Sequence, residues 1–287
     1  MKQETKIKDL FRKNPENNKQ ILSSWRQVAL NQNYWFAVIS FIAGIVLYLN
    51  TLKHGYVLDD LGIVTTNEYI MDGIKGIPNL LRMEMGHFHP EQNVNIGYYR
   101  PLSLITFAIE NEFFPKNPHI SHLGNIFLYG LTGFFLCLLL ITIFRGIHPV
   151  FSLVITLLFM AHPVHTEVVA NIKSRDEMLS FLNLIIAFFL ILNAHAETRN
   201  HLQKTLNRKL LLSSLIFFYL ALLSKETAMT GLLIIPLMLF YFSNYTFKQC
   251  FVRTIPFLAI FILFLIQKYA MIGTISIVTP KDIIVYP

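Results

Sequence analysis

One stretch, PLSLITFAIENEFF at residues 101–114, decides how often this chain crosses a membrane. The stretch is either a transmembrane helix or a helix that lies along the membrane surface. It is shorter than the about 20 residues that a span needs, and it contains Glu110 and Glu112, whose charges are costly inside hydrocarbon. Four of its apolar residues recur at helical spacing: Leu102, Ile105, Ile109 and Phe113. This spacing predicts an amphipathic helix at the membrane interface.

The rest of the chain has the composition of a polytopic helical membrane protein. Of its 287 residues, 54% are hydrophobic and 14% are charged, whereas an ordinary soluble domain has roughly 25% charged residues. The mean hydropathy is +0.49. Apolar runs lie at residues 35–52, 123–144, 150–161, 178–194, 210–224, 228–242 and 255–272. We therefore predict an all-α bundle of about seven transmembrane helices over residues 34–272, since a membrane β-barrel would show short alternating strands.

The distribution of charge assigns sides to the loops. With residues 1–33 as a basic cytosolic segment and the sides alternating, the cytosolic parts hold 14 Lys and Arg and 4 acids. The outer parts, which include the first loop at 53–121 and the tail at 273–287, hold 10 Lys and Arg and 13 acids. The split agrees with the positive-inside rule. If residues 101–114 were a span, the basic loop at 195–209 would lie on the outer side, against the positive-inside rule. Seven spans are therefore favoured.

Other classes of protein are disfavoured by the sequence. The formal net charge of +7 comes from basic residues along the membrane edges, without the interleaved aromatic patch that nucleic-acid binding needs. The chain contains no Walker loop, G-x-G-x-x-G or G-x-S-x-G, so nucleotide hydrolysis, dinucleotide binding and serine esterase chemistry lack support. The N-terminal apolar run lacks a small-residue cleavage site and is interpreted as an uncleaved signal anchor.

The polar residues of the outer loops form the candidate site, because ionisable groups at membrane depth are usually functional. They are Asp59, Asp60, Arg100, His162, His165, Glu167, Arg175, Asp176, Lys225 and Glu226. Each also has a structural interpretation. Asp59 could cap a helix, Arg100 could anchor the interfacial helix, and Lys225 with Glu226 could form a local pair at a chain turn. Their shared side of the membrane favours a common site.

A metal is a weaker hypothesis for these residues. The H-x-x-H of His162 and His165 lacks a Cys or a third nearby His to complete a zinc tetrahedron. His87 and His89 would contribute only if the first loop folds back. The paired acids Asp59 and Asp60 could instead hold Mg²⁺ or Mn²⁺ against a phosphate.

A paired carboxylate beside several cations suits transfer of a group from a lipid-linked phosphate. The carboxylate takes a proton from an acceptor hydroxyl, and Arg or Lys stabilises the departing phosphate. Two other functions stay open. A transporter would also cluster polar residues, although at mid-membrane depth and often in inverted repeats, and a non-catalytic assembly protein would not need the paired acids.

Several motifs, in order, resemble those of the transmembrane and tetratricopeptide-repeat (TMTC-type) O-mannosyltransferases, which are membrane glycosyltransferases of the GT-C class. They are GYVLDDLGIVTTN, YYRPLSLITFAIE, HLGNIFLYG, FMAHPVHTEVVANIKSRDEML and LALLSKETA, within about residues 55–242. The resemblance is to bacterial relatives above all. It implies a GT-C-like catalytic domain at 34–272, in a bacterial inner membrane or an endoplasmic reticulum membrane.

The resemblance also implies an activity and roles for the candidate residues. The donor is expected to be a polyprenyl- or dolichyl-phosphate-linked sugar, mannose, and the acceptor a hydroxyl of protein or glycan on the periplasmic or lumenal face. Asp59 or Asp60 is expected to be the catalytic carboxylate, with inversion at the sugar carbon. The remaining residues correspond to elements that bind the donor or its phosphate: Arg100, His162, His165, Glu167, Arg175, Asp176, Lys225 and Glu226.

The sequence departs from the family in one respect. The family continues through further spans into tetratricopeptide repeats, whereas this chain ends at Pro287 and has no helical repeat of about 34 residues. The expectation from sequence is a minimal catalytic half.

Overall fold

A computed structural model describes residues 34–85, 97–145, 147–195, 206–243 and 245–273. Eleven helices are numbered in these ranges: α1 Tyr34–Lys53, α2 Glu68–Met71, α3 Ile77–Leu80, α4 Pro101–Phe113, α5 Pro118–Ile143, α6 Val150–Met160, α7 His165–Ala170, α8 Arg175–Ala194, α9 Arg208–Ser224, α10 Gly231–Phe242 and α11 Phe247–Ile272. The described ranges contain no strand, which confirms the predicted all-α class. The segment 1–33, His87, His89 and most of the tail lie outside these ranges.

Helix ends follow the local sequence. Asn67, Asn117 and Asn207 each accept hydrogen bonds from main-chain N–H groups in the first turn of α2, α5 and α9, respectively. Thr246 and Gln249 form a reciprocal capping box at the start of α11. Gly273 ends α11 with φ 68°, a left-handed conformation that glycine adopts without strain. These signals place the helix boundaries close to those that the apolar runs predict.

Four of the described helices are long and apolar enough to cross a membrane: α1, α5, α8 and α11. Helix α6 and the segment Glu226–Phe242, which includes α10, are apolar but shorter. Large apolar side chains on the outer surfaces of the bundle are exposed, such as Leu158 at 69% and Leu233 at 73%. A water-soluble protein rarely exposes such continuous apolar surface, whereas lipid would cover it. The chain is therefore a helical membrane protein, and the number of seven spans stays a prediction.

The core of the bundle lies where α8, α9 and α11 pack together, around Phe188, Phe218, Phe257 and Phe264. Helix α8 is the central element, with 72% of its most apolar window buried. On the other side of the bundle, α1 packs against α5 through small residues. A Cβ atom at Gly130 would lie 3.0 Å from the main-chain oxygen of Phe41, so a larger residue there would push the two closely packed helices apart.

Residues 101–114 form a peripheral helix, α4, as predicted. Leu104 and Phe107 on one face are buried in a separate small core under the short helices of the first loop. Ile109 and Phe113, on the face that carries the helical apolar stripe, are 41% and 66% exposed. One face of helix α4 thus packs against the protein, and its other face is apolar and exposed, as an interfacial helix requires.

The candidate residues gather at one end of the bundle, which we call the polar end. It comprises the last turn of α1, the first turns of α5 and α8, and the chain between α9 and α10. His119 Nδ1 lies 2.6 Å from the main-chain oxygen of Leu52 there. At the opposite end, Arg145 donates a hydrogen bond of 3.2 Å to Asn193. The helices therefore alternate in direction as the charge distribution predicts, and the polar end corresponds to the predicted outer side.

The orientation of the polar end is testable by cysteine labelling. Asp72 in the first loop and Lys209 at the opposite end are both exposed, whereas the native Cys137 and Cys250 are buried. In intact cells, a membrane-impermeant maleimide should label Asp72→Cys and leave Lys209→Cys unlabelled until the cells are permeabilised. The reverse pattern would overturn the predicted topology.

Candidate active site

Arg175, the first residue of α8, is the buried centre of the polar end. Its side chain is 1% exposed, and all its donor nitrogens are engaged. The guanidinium donates to Asn125 Oδ1 at 2.8 Å, Thr106 Oγ1 at 3.1 Å, Glu110 Oε1 at 2.6 Å and the Ser121 main-chain oxygen at 2.8 Å. It also lies over the ring of Phe107. Arg175 therefore joins α4, α5 and α8 through four of the five N–H donors of its guanidinium.

Arg100 forms ion pairs with two acids of the site, Asp176 and Glu226. Its Nη1 lies 2.8 Å from Asp176 Oδ2 and its Nε lies 3.0 Å from Glu226 Oε2. The side chain is 8% exposed and stacks over the ring of Tyr98 at 4.3 Å. Burial alone would lower the pKa of Arg100, but the carboxylates of Glu226 and Asp176 outweigh this effect and raise it. Arg100 is thus a permanently charged, buried link between three loops.

Glu226 is shared among several donors. Besides Arg100, it accepts a hydrogen bond of 3.2 Å from the main-chain N–H of Tyr99, and its Oε1 lies 3.5 Å from Lys268 Nζ in α11. The neighbouring Lys225 forms an ion pair with Glu177 instead of with Glu226. Lys225 and Glu226 are therefore not a local pair, since each contacts a different element.

A cavity opens beside the ion pair of Lys225 and Glu177. Its volume is ≈ 270 Å³. Its walls come from α5 to α8 and are largely apolar: Tyr129, Thr132, Phe159, His165, Val168, Glu177, Met178 and Phe181. The arrangement joins an apolar chamber to a carboxylate and an ammonium group at its edge.

Asp60 and Asp59 occupy different environments although they are adjacent. Asp60 is fully buried, and its two oxygens accept hydrogen bonds from the main-chain N–H groups of Lys173 at 2.7 Å and Val57 at 3.1 Å. It therefore fastens the first loop to the loop before α8. Leu58 has φ 47°, a strained conformation for a bulky residue, and this turn leaves Asp59 exposed.

Asp59 is the accessible acid of the pair. Its side chain makes no hydrogen bond or ion pair with any described residue, so the structure does not favour its interpretation as a helix cap. Lys173, whose main-chain N–H donates to the neighbouring Asp60, lies two residues before Arg175, in the loop that leads into α8. The exposed carboxylate thus belongs to the same end of the bundle as the cations.

The His162–Glu167 motif lies beside this network and makes few polar contacts with it. His162 and Glu167 are exposed, and His162 Nδ1 accepts a hydrogen bond of 3.2 Å from the main-chain N–H of Val164. His165 is half-buried, with its ring 4.4 Å from that of Phe159. Burial, and then the proximity of His162, lower the pKa of His165, which favours its neutral form at pH 7.

The described residues do not form a metal centre. No group of three His, Cys, Asp or Glu side chains in these ranges could hold a metal ion together. Each oxygen of Asp60 accepts one main-chain hydrogen bond, and a divalent cation shared by Asp59 and Asp60 stays a prediction. His87 and His89 lie outside the described residues.

Three contributors to the site are not singled out by the sequence motifs. Glu110 is the partner of Arg175, Asn125 accepts from Arg175 and donates to the Asn171 main-chain oxygen at 3.1 Å, and Lys268 approaches Glu226. One signal for Glu110 was present, because an acid within a membrane-surface helix needs a cation and Arg175 is on the same side. No comparable signal identifies Asn125 or Lys268.

The structural role of Arg175 predicts a loss of stability. Arg175→Met leaves Glu110 without its cation, and breaking a buried ion pair in this way costs about 3–5 kcal/mol. We expect Arg175→Met to lower the free energy of unfolding in detergent micelles by about 3 kcal/mol or more, and adding Glu110→Gln to recover part of the loss. The exposed Lys75 provides a control, Lys75→Met. Equal stability of Arg175→Met and the control would contradict this role.

Comparison with known proteins identifies relatives of the chain. No protein-family model and no solved structure match it. The chain is 31% identical over 191 residues to Protein O-mannosyl-transferase Tmtc1 of Drosophila melanogaster, covering 66% of this chain and 21% of the relative. It is 25% identical over 214 residues to Protein O-mannosyl-transferase TMTC4 of Mus musculus, covering 69% and 28%.

A third relative is Protein O-mannosyl-transferase TMTC2 of Homo sapiens, 27% identical over 169 residues that cover 58% of this chain and 20% of the relative. The chain thus spans between 20% and 28% of the length of these three relatives. The resemblance that the motifs indicate is confirmed: over more than half of its length, this chain is similar to the TMTC-type protein O-mannosyltransferases.

Proposed function

We propose that this chain forms the catalytic membrane domain of a glycosyltransferase that moves mannose from a prenyl-phosphate-linked donor to a hydroxyl group. The observation that carries the proposal is the exposed Asp59 carboxylate, which lies between the strained Leu58 and the buried Asp60 at the end of the bundle that also holds Arg100 and Lys225. The similarity to proteins named O-mannosyl-transferases supports the same reaction class. The acceptor would be a serine or threonine of a protein, or a glycan hydroxyl.

The proposed reaction is a single displacement at the anomeric carbon. Asp59 takes the proton from the acceptor hydroxyl as its oxygen forms the new bond to that carbon. The bond between the carbon and the phosphate oxygen breaks on the opposite face, and its electron pair stays on the phosphate. The sugar configuration is therefore inverted, and the prenyl phosphate leaves with one more negative charge.

The cations of the polar end are proposed to stabilise that charge. Lys225 is the accessible one, because its partner Glu177 is 41% exposed and becomes solvated readily when the pair separates. Arg100 would not contact the phosphate itself; its charge would act at longer range while it holds Asp176 and Glu226 in place. Arg175 is proposed to position this end and not to bind the donor, since its side chain is 1% exposed and makes four hydrogen bonds within the protein.

The apolar cavity is proposed to hold the first part of the prenyl chain. Its aromatic and aliphatic walls, which include Phe159, Met178 and Phe181, exclude water, and Glu177 at its edge lies against Lys225. His165 lines the same cavity and would contact the donor near its phosphate. His162 and Glu167 are exposed, and we assign them to the entrance for donor or acceptor.

The proposal places the chain in a membrane with its N-terminus in the cytosol and Asp59 on the periplasmic or lumenal face. It follows the predicted charge distribution and the gathering of the site at one end of the bundle. The membrane would be a bacterial inner membrane or that of the endoplasmic reticulum. Lipid-linked sugar would reach the site from the bilayer, and acceptors from the aqueous side.

Asparagine substitutions of the two acids should separate catalysis from folding. Asp59→Asn should preserve thermal stability and lower sugar transfer about 10²–10⁴-fold, because the proton acceptor is lost. Asp60→Asn should lower stability, because the new amide cannot accept from both Val57 and Lys173, and an unsatisfied donor costs about 1–3 kcal/mol. Transfer is measured from labelled prenyl-phosphate mannose in membranes that contain the protein.

The exposed Asp72 provides the matched control, since it lies in the same loop and its side chain caps no helix. Asp72→Asn should transfer sugar at the parental rate. Parental transfer by Asp59→Asn would exclude Asp59 as the base. Loss of folding in Asp59→Asn would show that the exposed acid is structural.

A further inference from the structure

Lys268 is a buried cation without a close partner. It lies in the last turns of α11, and its side chain is 6% exposed. Its nearest carboxylate oxygen, Glu226 Oε1, is 3.5 Å away, whereas Arg100 reaches the other oxygen of Glu226 at 3.0 Å. Of the ion pairs in the described ranges, this one is the longest, and the ammonium group donates no hydrogen bond to any described residue. An ammonium group in a largely buried side chain, with its acceptor at this distance, keeps donor capacity for a further anion.

The surroundings of Lys268 point to an anion as the missing acceptor. Glu226 already accepts from Arg100 and from the main-chain N–H of Tyr99, so it offers Lys268 only part of its capacity. The neighbouring Gln267 donates to the Tyr99 hydroxyl at 2.9 Å, which fixes this turn of α11 against the first loop. This hydrogen bond and the ion pair with Glu226 keep Lys268 at the polar end.

We propose that Lys268 binds the phosphate group of the membrane-anchored donor, as a counterpart to Lys225 across Glu226. This inference rests on the proposed function for the identity of the ligand. A lipid-linked phosphate suits the position, because its chain stays in the bilayer and its head group stays at the end of a membrane helix. Phosphate oxygens are strong acceptors for an ammonium group. Lys225, released from the exposed Glu177, balances the added negative charge.

The alternative role for Lys268 is purely structural, as a brace for Glu226 and hence for Arg100. The two roles differ in what removal of Glu226 does. If Lys268 only braces Glu226, loss of either residue weakens phosphate binding alike. If Lys268 binds phosphate, Glu226→Gln removes a competing carboxylate and keeps or strengthens phosphate binding, whereas loss of Lys268 weakens it with or without Glu226.

The experiment uses the full chain in phosphatidylcholine nanodiscs and farnesyl phosphate as the probe, with the shift in thermal unfolding temperature as the measure of binding. Lys268→Gln should weaken binding about 10-fold or more, the loss expected for one charge-assisted contact, and Lys268→Arg should restore much of it. Lys248 is exposed at the opposite end of the same helix, and Lys248→Gln should bind like the parent. The pair Glu226→Gln and Glu226→Gln/Lys268→Gln should differ by the same factor.

Parental affinity in Lys268→Gln would overturn the inference, as would equal affinities of the two Glu226 variants.

Inorganic phosphate and phosphatidylglycerol are tested in parallel to distinguish sources of phosphate. Lys268-dependent binding of either one without binding of farnesyl phosphate would overturn the assignment to the donor. Lys268-dependent binding of farnesyl phosphate in a protein that never transfers sugar would retain the site and refute the proposed function. Sugar transfer with parental affinity in every Lys268 variant would refute the inference alone.

Discussion

The buried guanidinium of Arg175 is the interaction on which the geometry of the polar end depends. A charged group removed from water is tolerated only when its donors are satisfied, and here the acceptors come from α4 and α5. Gly124 makes this approach possible, since a Cβ atom there would lie 2.7 Å from Glu110 Oε1 and 3.1 Å from Arg175 Nη2. The peripheral helix α4 and the spanning helices α5 and α8 are thereby held in one register.

This arrangement of α4, α5 and α8 separates the charged side chains of the polar end into two networks. Arg175 and Asp176 are adjacent in the chain but belong to separate networks, one with Glu110 and the other with Arg100. The first network is closed by protein acceptors, which suits a structural role. The second includes the looser contact between Glu226 and Lys268, and Asp176 in it precedes Glu177, which lines the apolar cavity.

Much of the fold could be predicted from the sequence, because membrane helices follow simple rules of length, hydropathy and charge. The apolar stripe of residues 101–114 indicated a surface helix, and α4 has the matching exposed face. The gathering of Arg100, Asp176 and Glu226 at one end followed from the alternation of helices. These features depend on patterns within a single helix or loop.

Side-chain partners far apart in the sequence could not be predicted in the same way. The sequence shows the charge of Arg175 but not its contacts with Glu110 and Asn125, and its role at the donor phosphate stays a prediction. Asp59 and Asp60 were indistinguishable until the turn at Leu58 separated an exposed acid from a buried one. No sequence motif marks Lys268, whose approach to Glu226 depends on how α11 packs. In each case the deciding quantity is burial, which depends on the packing of several helices.

Helix α11 brings Lys268 to the site while having few protein neighbours of its own. Only 22% of its most apolar window is buried, so in a bilayer its tilt responds to hydrophobic thickness more than that of the central α8. With a rise of about 1.5 Å per residue, a tilt change of a few degrees moves the end of such a helix by about 2–3 Å. This displacement is comparable to the 3.5 Å between Lys268 and Glu226, so a change of membrane thickness would act on this ion pair against the hydrogen bond from Gln267 to Tyr99.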